Sequence, residues 1–211
     1  MHVQKQSRRT LRRSLLRRLA GAALALGFAG SVFAADNAPA NPQVSLKTTM
    51  GEIVVELDAL NAPKSTANFL QYVKSGFYKD TVFHRVIDGF MIQAGGYTDK
   101  LVDKPGVRKP IPSESKNGLS NKPYTLAMAR TDNPNSATSQ FFINVNDNAG
   151  LDYPGQDGYG YTVFGHVVKG QETVDKIKGV MVDDMRGMQN VPVTPIVIRS
   201  ATVLSGEKLV K

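Results

Sequence analysis

The chain has no cysteine, no tryptophan and only three histidines in 211 residues. Without cysteine there is no disulfide framework and no lipid-modified N-terminal thiol, so the fold must rest on its apolar core. The histidines are His2, His84 and His166, too few and too scattered for a histidine-rich metal site. No Gly-x-Ser-x-Gly elbow occurs, and Gly158-Tyr159-Gly160 lacks the third glycine and helix start of a dinucleotide loop. No internal repeat is present. No acidic residue precedes Asp36.

That last absence defines the N-terminus. Lys5, Arg8, Arg9, Arg12, Arg13, Arg17 and Arg18 lead into the uncharged, Ala/Leu/Gly-rich stretch Leu19–Ala35, which contains Val32-Phe33-Ala34. A basic front, a short apolar run and small residues before a cut describe a secretory signal peptide, with cleavage expected after Ala34. Ser7-Arg8-Arg9 resembles a twin-arginine signal, but Arg12 follows where that signal prefers apolar residues. Seventeen uncharged residues sit at the short end of a membrane span, so no stable insertion is expected once the signal is removed. Residues 35–42 read as a flexible Asn/Ala/Pro linker and 206–211 as a tail. The expected location is the periplasm.

The same segment disposes of the chain's formal charge of +8. Removing seven of the 26 basic residues leaves 19 against 18 acidic, so nucleic-acid binding loses its electrostatic support. The remaining chain is long enough for one domain, residues 43–205, with a sizeable core.

Within it, Val44-x-Leu46 and Ile53-x-Val55-x-Leu57 alternate around Thr49-Met50-Gly51, predicting a hairpin with one buried face. Pro63–Ser75 predicts a helix: proline in the first turn, an apolar stripe of Thr66, Phe69, Leu70 and Val73, and Gly76 as C-terminal cap. Asp99–Asn121 reads as loop, Thr125–Ala129 and Gln140–Val145 as strands around the polar loop Arg130–Ser139, and Asn146–Gly160 as a long surface loop. Thr162–Val168 is a further strand, Gln171–Lys178 a short helix and Ile196–Leu204 a final strand. Asp183-Asp184 reads as half a cation site or, more simply, a solvated loop. About eight short strands and two helices indicate a mainly β protein, an antiparallel barrel or sandwich.

The chemistry concentrates in Val82–Thr98, VFHRVIDGFMIQAGGYT. Arg85, Met91 and Gln93 are separated by even steps, so extended backbone can point them one way, and Asp88-Gly89 is a turn signal between two apolar runs. A cation and an amide beside an apolar floor of Phe90 and Met91 suit a ligand both greasy and peptide-like. His84 is adjacent to Arg85, and alternation points it to the opposite face, as a hydrogen-bonded core or supporting histidine. His166 is read as structural.

FHRVIDGFMIQAGG resembles the signature of the cyclophilins, the peptidyl-prolyl cis-trans isomerases. LAMARTDNPNSATSQFFIN at Leu126–Asn144 resembles the family's second signature, and NAGLD with YTVFG fits a third block. The resemblance runs from Gln43 to Leu204, with the blocks in family order. It implies a closed eight-stranded antiparallel β-barrel capped by two α-helices, the Pro63 and Gln171 helices falling where the caps would be. It also implies rotation about Xaa-Pro bonds, a reaction needing no metal, nucleophile or cofactor. The uncatalysed barrier is about 18–20 kcal/mol.

By that resemblance Arg85 would be the catalytic arginine, donating to the prolyl nitrogen, with Gln93 orienting it. Phe90, Met91, Phe142 and Leu151 would form the proline socket. Gln140, the backbone at Ala129 and Arg130, and Tyr161 would bind the substrate chain. The implied partners are proline-containing exported polypeptides, met by a monomer. The position aligned to Gly150 is usually aromatic in the family, so one wall is expected either to be open or to come from Tyr153 or Tyr159. Arg130 and Tyr161 resemble the exported bacterial branch. Two competing readings are a non-catalytic proline-binding scaffold, favoured by Gly150, and a serine hydrolase using His84 or His166, for which no ordered acid partner is visible.

Overall fold

The computed structural model describes residues 41–204. The signal segment, most of the linker and the C-terminal tail lie outside them. In chain order the elements are β1 (Gln43–Thr48), β2 (Gly51–Leu57), α1 (Pro63–Lys74), β3 (Thr81–Ile87), β4 (Met91–Thr98), β5 (Thr125–Met128) and β6 (Phe141–Asn144). After a single 3-10 turn at Ala149–Leu151 come β7 (Val163–Lys169), α2 (Gln171–Lys178), β8 (Val182–Met185), β9 (Met188–Pro192) and β10 (Ile196–Leu204). Eight strands close a barrel in the order β1-β10-β3-β4-β6-β5-β7-β2, and every neighbouring pair is antiparallel. Closure removes the unpaired edges that an open sheet would present.

Strand alternation sorts side chains between the barrel interior and its outer surface. Ile92 and Ala94 on β4, Leu126 and Met128 on β5, and Phe141 and Ile143 on β6 belong to the main buried cluster. Their intervening neighbours Met91, Ala127 and Phe142 belong to a second, smaller cluster that also holds Val163. The second cluster lies on the outside of the barrel. The functional region is built there.

Helix α1 bridges the end of β2 and the start of β3, and α2 follows β7 at the opposite rim. Phe69 and Tyr72 of the first and Val174 and Ile177 of the second enter the main core. Phe69 packs its ring against Tyr78, Phe141 and Phe164 at 5.1, 5.4 and 5.4 Å. Tyr72, outside the expected stripe, is fully buried, while Leu70 only partly joins the core. Ala62 cannot cap the start of α1 with its own side chain. The Glu114 carboxylate, fifty residues on, accepts instead from Lys64 N–H (2.9 Å), Ser65 N–H (2.8 Å) and Ser65 Oγ–H (2.8 Å). An anion there satisfies helix donors that have no internal partner. At the other end Gly76, at φ 71°, lets its N–H reach Val73 O and Phe77 N–H reach Tyr72 O. Phe77 then packs on Tyr72 at 4.8 Å, completing the left-handed cap predicted from Gly76.

Asp183-Asp184 is not in a loop. Both residues are exposed on β8, which pairs with β9 through the Arg186-Gly187 turn, both central residues having positive φ (52° and 79°). Arg-Gly is a weaker hairpin signal than Asn-Gly or Asp-Gly, and two adjacent aspartates break the alternation that marks a strand. Among the described residues no cluster of three or more His, Asp or Glu side chains could hold a metal ion.

Candidate active site

Strands β3 and β4 carry the reactive part of the sequence. Between them, Phe90 N–H returns to Ile87 O across Asp88-Gly89, with Gly89 at φ 75°. The pairing sets Ile87 opposite Met91 and Arg85 opposite Gln93, but then skips from Arg85 to Phe83, which faces Ala94. His84 is therefore the extra residue of a β-bulge. Phe83 turns into the core while Arg85 emerges on the outer face.

Next in the sheet, β6 sets Phe142 opposite Gln93, and β5 sets Ala127 opposite Phe142. Phe90 leaves the turn over this apolar floor. Its carbonyl accepts from Val145 N–H at 3.0 Å and from Asn148 Nδ2 at 2.8 Å. Leu151 and Tyr161 come from the two feet of the loop between them, joined by Tyr161 N–H to Leu151 O at 2.8 Å. Tyr161 meets Phe142 edge to face, centroids 5.7 Å apart. The result is a cavity of about 100 Å³ lined by Arg85, Phe90, Met91, Gln93, Ala129, Arg130, Phe142, Leu151 and Tyr161. Gln140 lies in an adjoining depression shared with Gln93, Ala129 and Arg130. All ten residues singled out from the sequence thus meet in one place.

The contacts among them differ in detail from expectation. Gln93 is the cross-strand partner of Arg85, but its Nε2 donates to Gln140 Oε1 at 2.8 Å. Among the described residues nothing hydrogen-bonds or ion-pairs the Arg85 guanidinium, so its donors stay available to a ligand. Ala129 N–H is already given to Gln140 O at 3.1 Å. Arg130 spends its guanidinium on the protein: Nε and Nη2 donate to Gly160 O at 3.1 and 2.9 Å, Nη1 donates to Thr131 O at 2.9 Å, and Nη2 also pairs with Asp157. It lies 4.2 Å over the Tyr161 ring. Neither Tyr153 nor Tyr159 lines the cavity. Both are exposed, Tyr153 lying under Lys116 Nζ at 4.8 Å, and the side chain nearest the Gly150 position is Gln156.

Pairing distances in sequence hid two supports of this site. Asp157 sits 27 residues from Arg130 in a segment that reads as plain polar loop. Asn144, fully buried, donates to Thr125 Oγ1 at 2.9 Å and Asn121 Oδ1 at 3.2 Å and accepts from Asn148 Nδ2 at 2.6 Å. Asn121 in turn donates its backbone N–H and Nδ2 to Asp152 Oδ1. That chain ties the Phe90 side of the cavity to the Leu151 side. Asparagine among polar loop residues carries no signal that would have revealed it.

The histidines take no part. His84 is buried against Tyr97 at 4.7 Å, and its Nδ1 has no hydrogen-bond partner. It is the core histidine expected, but the bulge carries it out of the regular ladder and leaves that nitrogen unpaired. Burial pushes its pKa down to about 4, with Val82 opposing and Arg85 adding to the shift. His166 is exposed on β7. A folded-state pKa below the unfolded value of about 6.5 means that the unfolded chain binds the proton better. His84 therefore costs no stability above pH 6.5. As pH falls from there towards 4, about 1.4 kcal/mol is lost per pH unit, or about 3 kcal/mol in all. Urea unfolding at pH 7 and pH 4 should show this loss, and His84→Gln should shrink it. An unchanged pH slope in the variant would refute the assignment.

A closed barrel with an apolar socket on its outer wall, rimmed by a guanidinium that is unpaired among the described residues, defines a β-barrel whose site suits an apolar, peptide-like ligand. Residues 43–203 match the family described as cyclophilin type peptidyl-prolyl cis-trans isomerase/CLD. Peptidyl-prolyl cis-trans isomerase cyp18 of Streptomyces antibioticus is 54% identical over 163 residues, covering 76% of this chain and 98% of that protein. Peptidyl-prolyl cis-trans isomerase B of Escherichia coli K12 is 48% identical, with coverages of 76% and 98%. A crystal structure of a cyclophilin type peptidyl-prolyl cis-trans isomerase from Cryptosporidium parvum superposes with a TM-score of 0.65 at 27% identity, covering 79% of this chain and 99% of that one. The chain belongs to the cyclophilin family. It is a peptidyl-prolyl cis-trans isomerase acting on proline-containing peptides.

Proposed function

We propose that Arg85 lowers the rotation barrier by donating a hydrogen bond to the prolyl nitrogen, and that the substrates are exported polypeptides folding in the periplasm. As the amide twists, its resonance is lost and the nitrogen regains a lone pair. A donor fixed at that point binds the twisted form better than either planar form, which is what accelerates the reaction. A guanidinium is permanently charged and presents several donors in a rigid fork, so it suits the task without proton transfer. The observation that carries this reading is the Arg85 side chain, unpaired among the described residues, at the rim of a socket floored by Phe90, Met91, Phe142 and Leu151.

The proline ring would sit on that floor, while Gln93 and Gln140, already paired at 2.8 Å, would meet the peptide backbone beside it. One half of the chain is then held while the other turns. No pocket for a particular neighbouring side chain is required, so broad sequence tolerance is expected. The export assignment rests on the basic front, the apolar run Leu19–Ala35 and Ala34. The protein is taken to act as a monomer.

Two-dimensional exchange NMR on a short Ala-Pro peptide tests the activity, and N-terminal sequencing of the protein from a periplasmic extract tests export. Accelerated cis/trans exchange and a mature chain beginning at Ala35 are expected. Peptide binding without acceleration would make the protein a proline-binding scaffold. A full-length chain confined to the cytoplasm would remove the export assignment.

A further inference from the structure

Two walls of the socket, Leu151 and Tyr161, belong to no strand of the barrel, although Tyr161 meets Phe142 of β6 edge to face. They stand at the feet of a nine-residue loop, residues 152–160, that projects from the barrel between the 3-10 turn and β7. Asn121 ties the Leu151 foot through Asp152, Met128 N–H ties the other foot through Thr162 O at 3.0 Å, and the loop carries a further clasp of its own. The Arg130 side chain lies across one foot. It covers the Tyr161 ring, grips the Gly160 carbonyl with two N–H groups and reaches Asp157 within the loop. Asp157 in turn folds the loop back, its Oδ1 accepting from Tyr159 N–H at 3.0 Å and Gly160 N–H at 3.1 Å. The Arg130 side chain is only 4% exposed, so its guanidinium is not presented to solvent as a free charge.

We infer that Asp157, which does not line the cavity, is a positioning residue for substrate binding: through Arg130 it holds Tyr161 and Leu151 as walls of the proline socket. This deepens the reading of the socket as a proline seat and rests on it. Arg85 and Gln93 stand on β3 and β4 and owe their placement to strand pairing, so the clasp fixes the ring's seat and leaves the donor alone. Its loss should weaken binding far more than turnover. The Arg130 hydrogen bond and two backbone N–H groups hold the Asp157 carboxyl down at about 2, so the pair is ionic around neutral pH. Salt therefore tunes the clasp where pH does not, since Asp157 is part-exposed and its attraction to Arg130 is screened.

The test is line-shape and exchange NMR on an uncharged Xaa-Pro peptide with the full-length mature protein, Asp157→Ala and Asp157→Asn, each also checked by thermal unfolding. Asp157→Ala should raise the peptide Kd about fivefold while the on-enzyme exchange rate stays within about twofold. Asp157→Asn keeps an acceptor for Tyr159 and Gly160 N–H and should recover part of the affinity. Raising salt from about 0.05 to about 0.5 M should weaken binding to the wild type more than to Asp157→Ala. A Kd unchanged in Asp157→Ala with an active wild type would overturn the clasp. A fall in exchange rate equal to the fall in affinity would overturn it too, by showing that the donor had moved. An inactive wild type would instead remove the catalytic reading on which it rests.

Discussion

Replacing Arg85 with alanine should lower kcat/KM for cis/trans exchange by about 10²–10³-fold, the loss expected when a single fixed donor to a transition state is removed. The fold should survive. Arg85 is half-buried on the outer wall of the barrel and makes no hydrogen bond or ion pair among the described residues, so its removal strands no partner. Thermal unfolding of the variant should therefore stay within a few degrees of wild type while exchange nearly disappears. Arg85→Lys should recover only a small part of the rate. An ammonium is a strongly hydrated point charge without the planar fork of donors. If Arg85→Ala kept most of the activity in a folded protein, the site would still isomerise but the donor would have to be sought elsewhere, with Gln93 as the next group on the same rim. Because Gln93 is paired with Gln140 at 2.8 Å, a Gln93→Ala change should reduce activity less than the loss of Arg85 does.

The second large effect lies on the other side of the barrel wall. Phe69→Ala should destabilise the protein by about 3–5 kcal/mol, the range for deleting a fully buried aromatic ring from a packed core. Phe69 is the ring that α1 presses into the barrel, and it touches Tyr78, Phe141 and Phe164 at once. These neighbours sit on three different segments, so the cavity cannot close by the movement of one side chain. For a domain of this size each kcal/mol is worth about 2–4 °C, so the melting temperature should drop by roughly 6–20 °C. Activity measured below the transition, per folded molecule, should change little, because Phe69 faces the interior cluster and the socket is on the outside. Urea unfolding followed by peptide exchange in the same samples would separate the two. A stability loss under about 1 kcal/mol would mean that the ring cluster tolerates the hole, contrary to its tight packing.

These two residues also mark how much of the structure is legible in the sequence. Phe69 announces itself through helical periodicity between Pro63 and Gly76, and the helix ends where those residues say it should. The barrel strands follow from alternation. The final strand has the bounds its alternation predicts, β5, β6 and β7 are displaced by one residue at their ends, and β1 and β2 run up to two residues beyond their alternating cores. The β8–β9 hairpin escapes because its strands are exposed and carry paired aspartates, so no apolar alternation betrays them. Tyr72 escapes the predicted stripe for a related reason. Its hydroxyl accepts from Arg108 N–H at 2.8 Å, a partner 36 residues away that makes a buried tyrosine acceptable.

In the site, the ten residues named from the sequence converge, but the sequence is less informative about what each touches. Arg130 is read as offering its backbone to the substrate, and nothing in the sequence reveals that its side chain is locked to the loop that carries Tyr161. His84 is the buried histidine that alternation indicates, but the sequence does not reveal the bulge that leaves its Nδ1 unpartnered. The sequence leaves the wall at Gly150 either open or supplied by Tyr153 or Tyr159, and both tyrosines are exposed to solvent.

Local order in the chain determined the elements and their faces. Period-2 and period-3.6 patterns, the Pro63 start, the Gly76 and Gly89 turns, and the grouping of Arg85, Phe90, Met91 and Gln93 all act over a few residues, where backbone geometry alone fixes which way a side chain points. Tertiary structure decided everything that depends on partners distant in sequence. It put the socket on the outside of the barrel, capped α1 with Glu114, used a bulge to bring Arg85 out beside Gln93, and joined Arg130 to Asp157. Such pairings depend on how strands register and loops close in three dimensions, and no spacing along the chain encodes them.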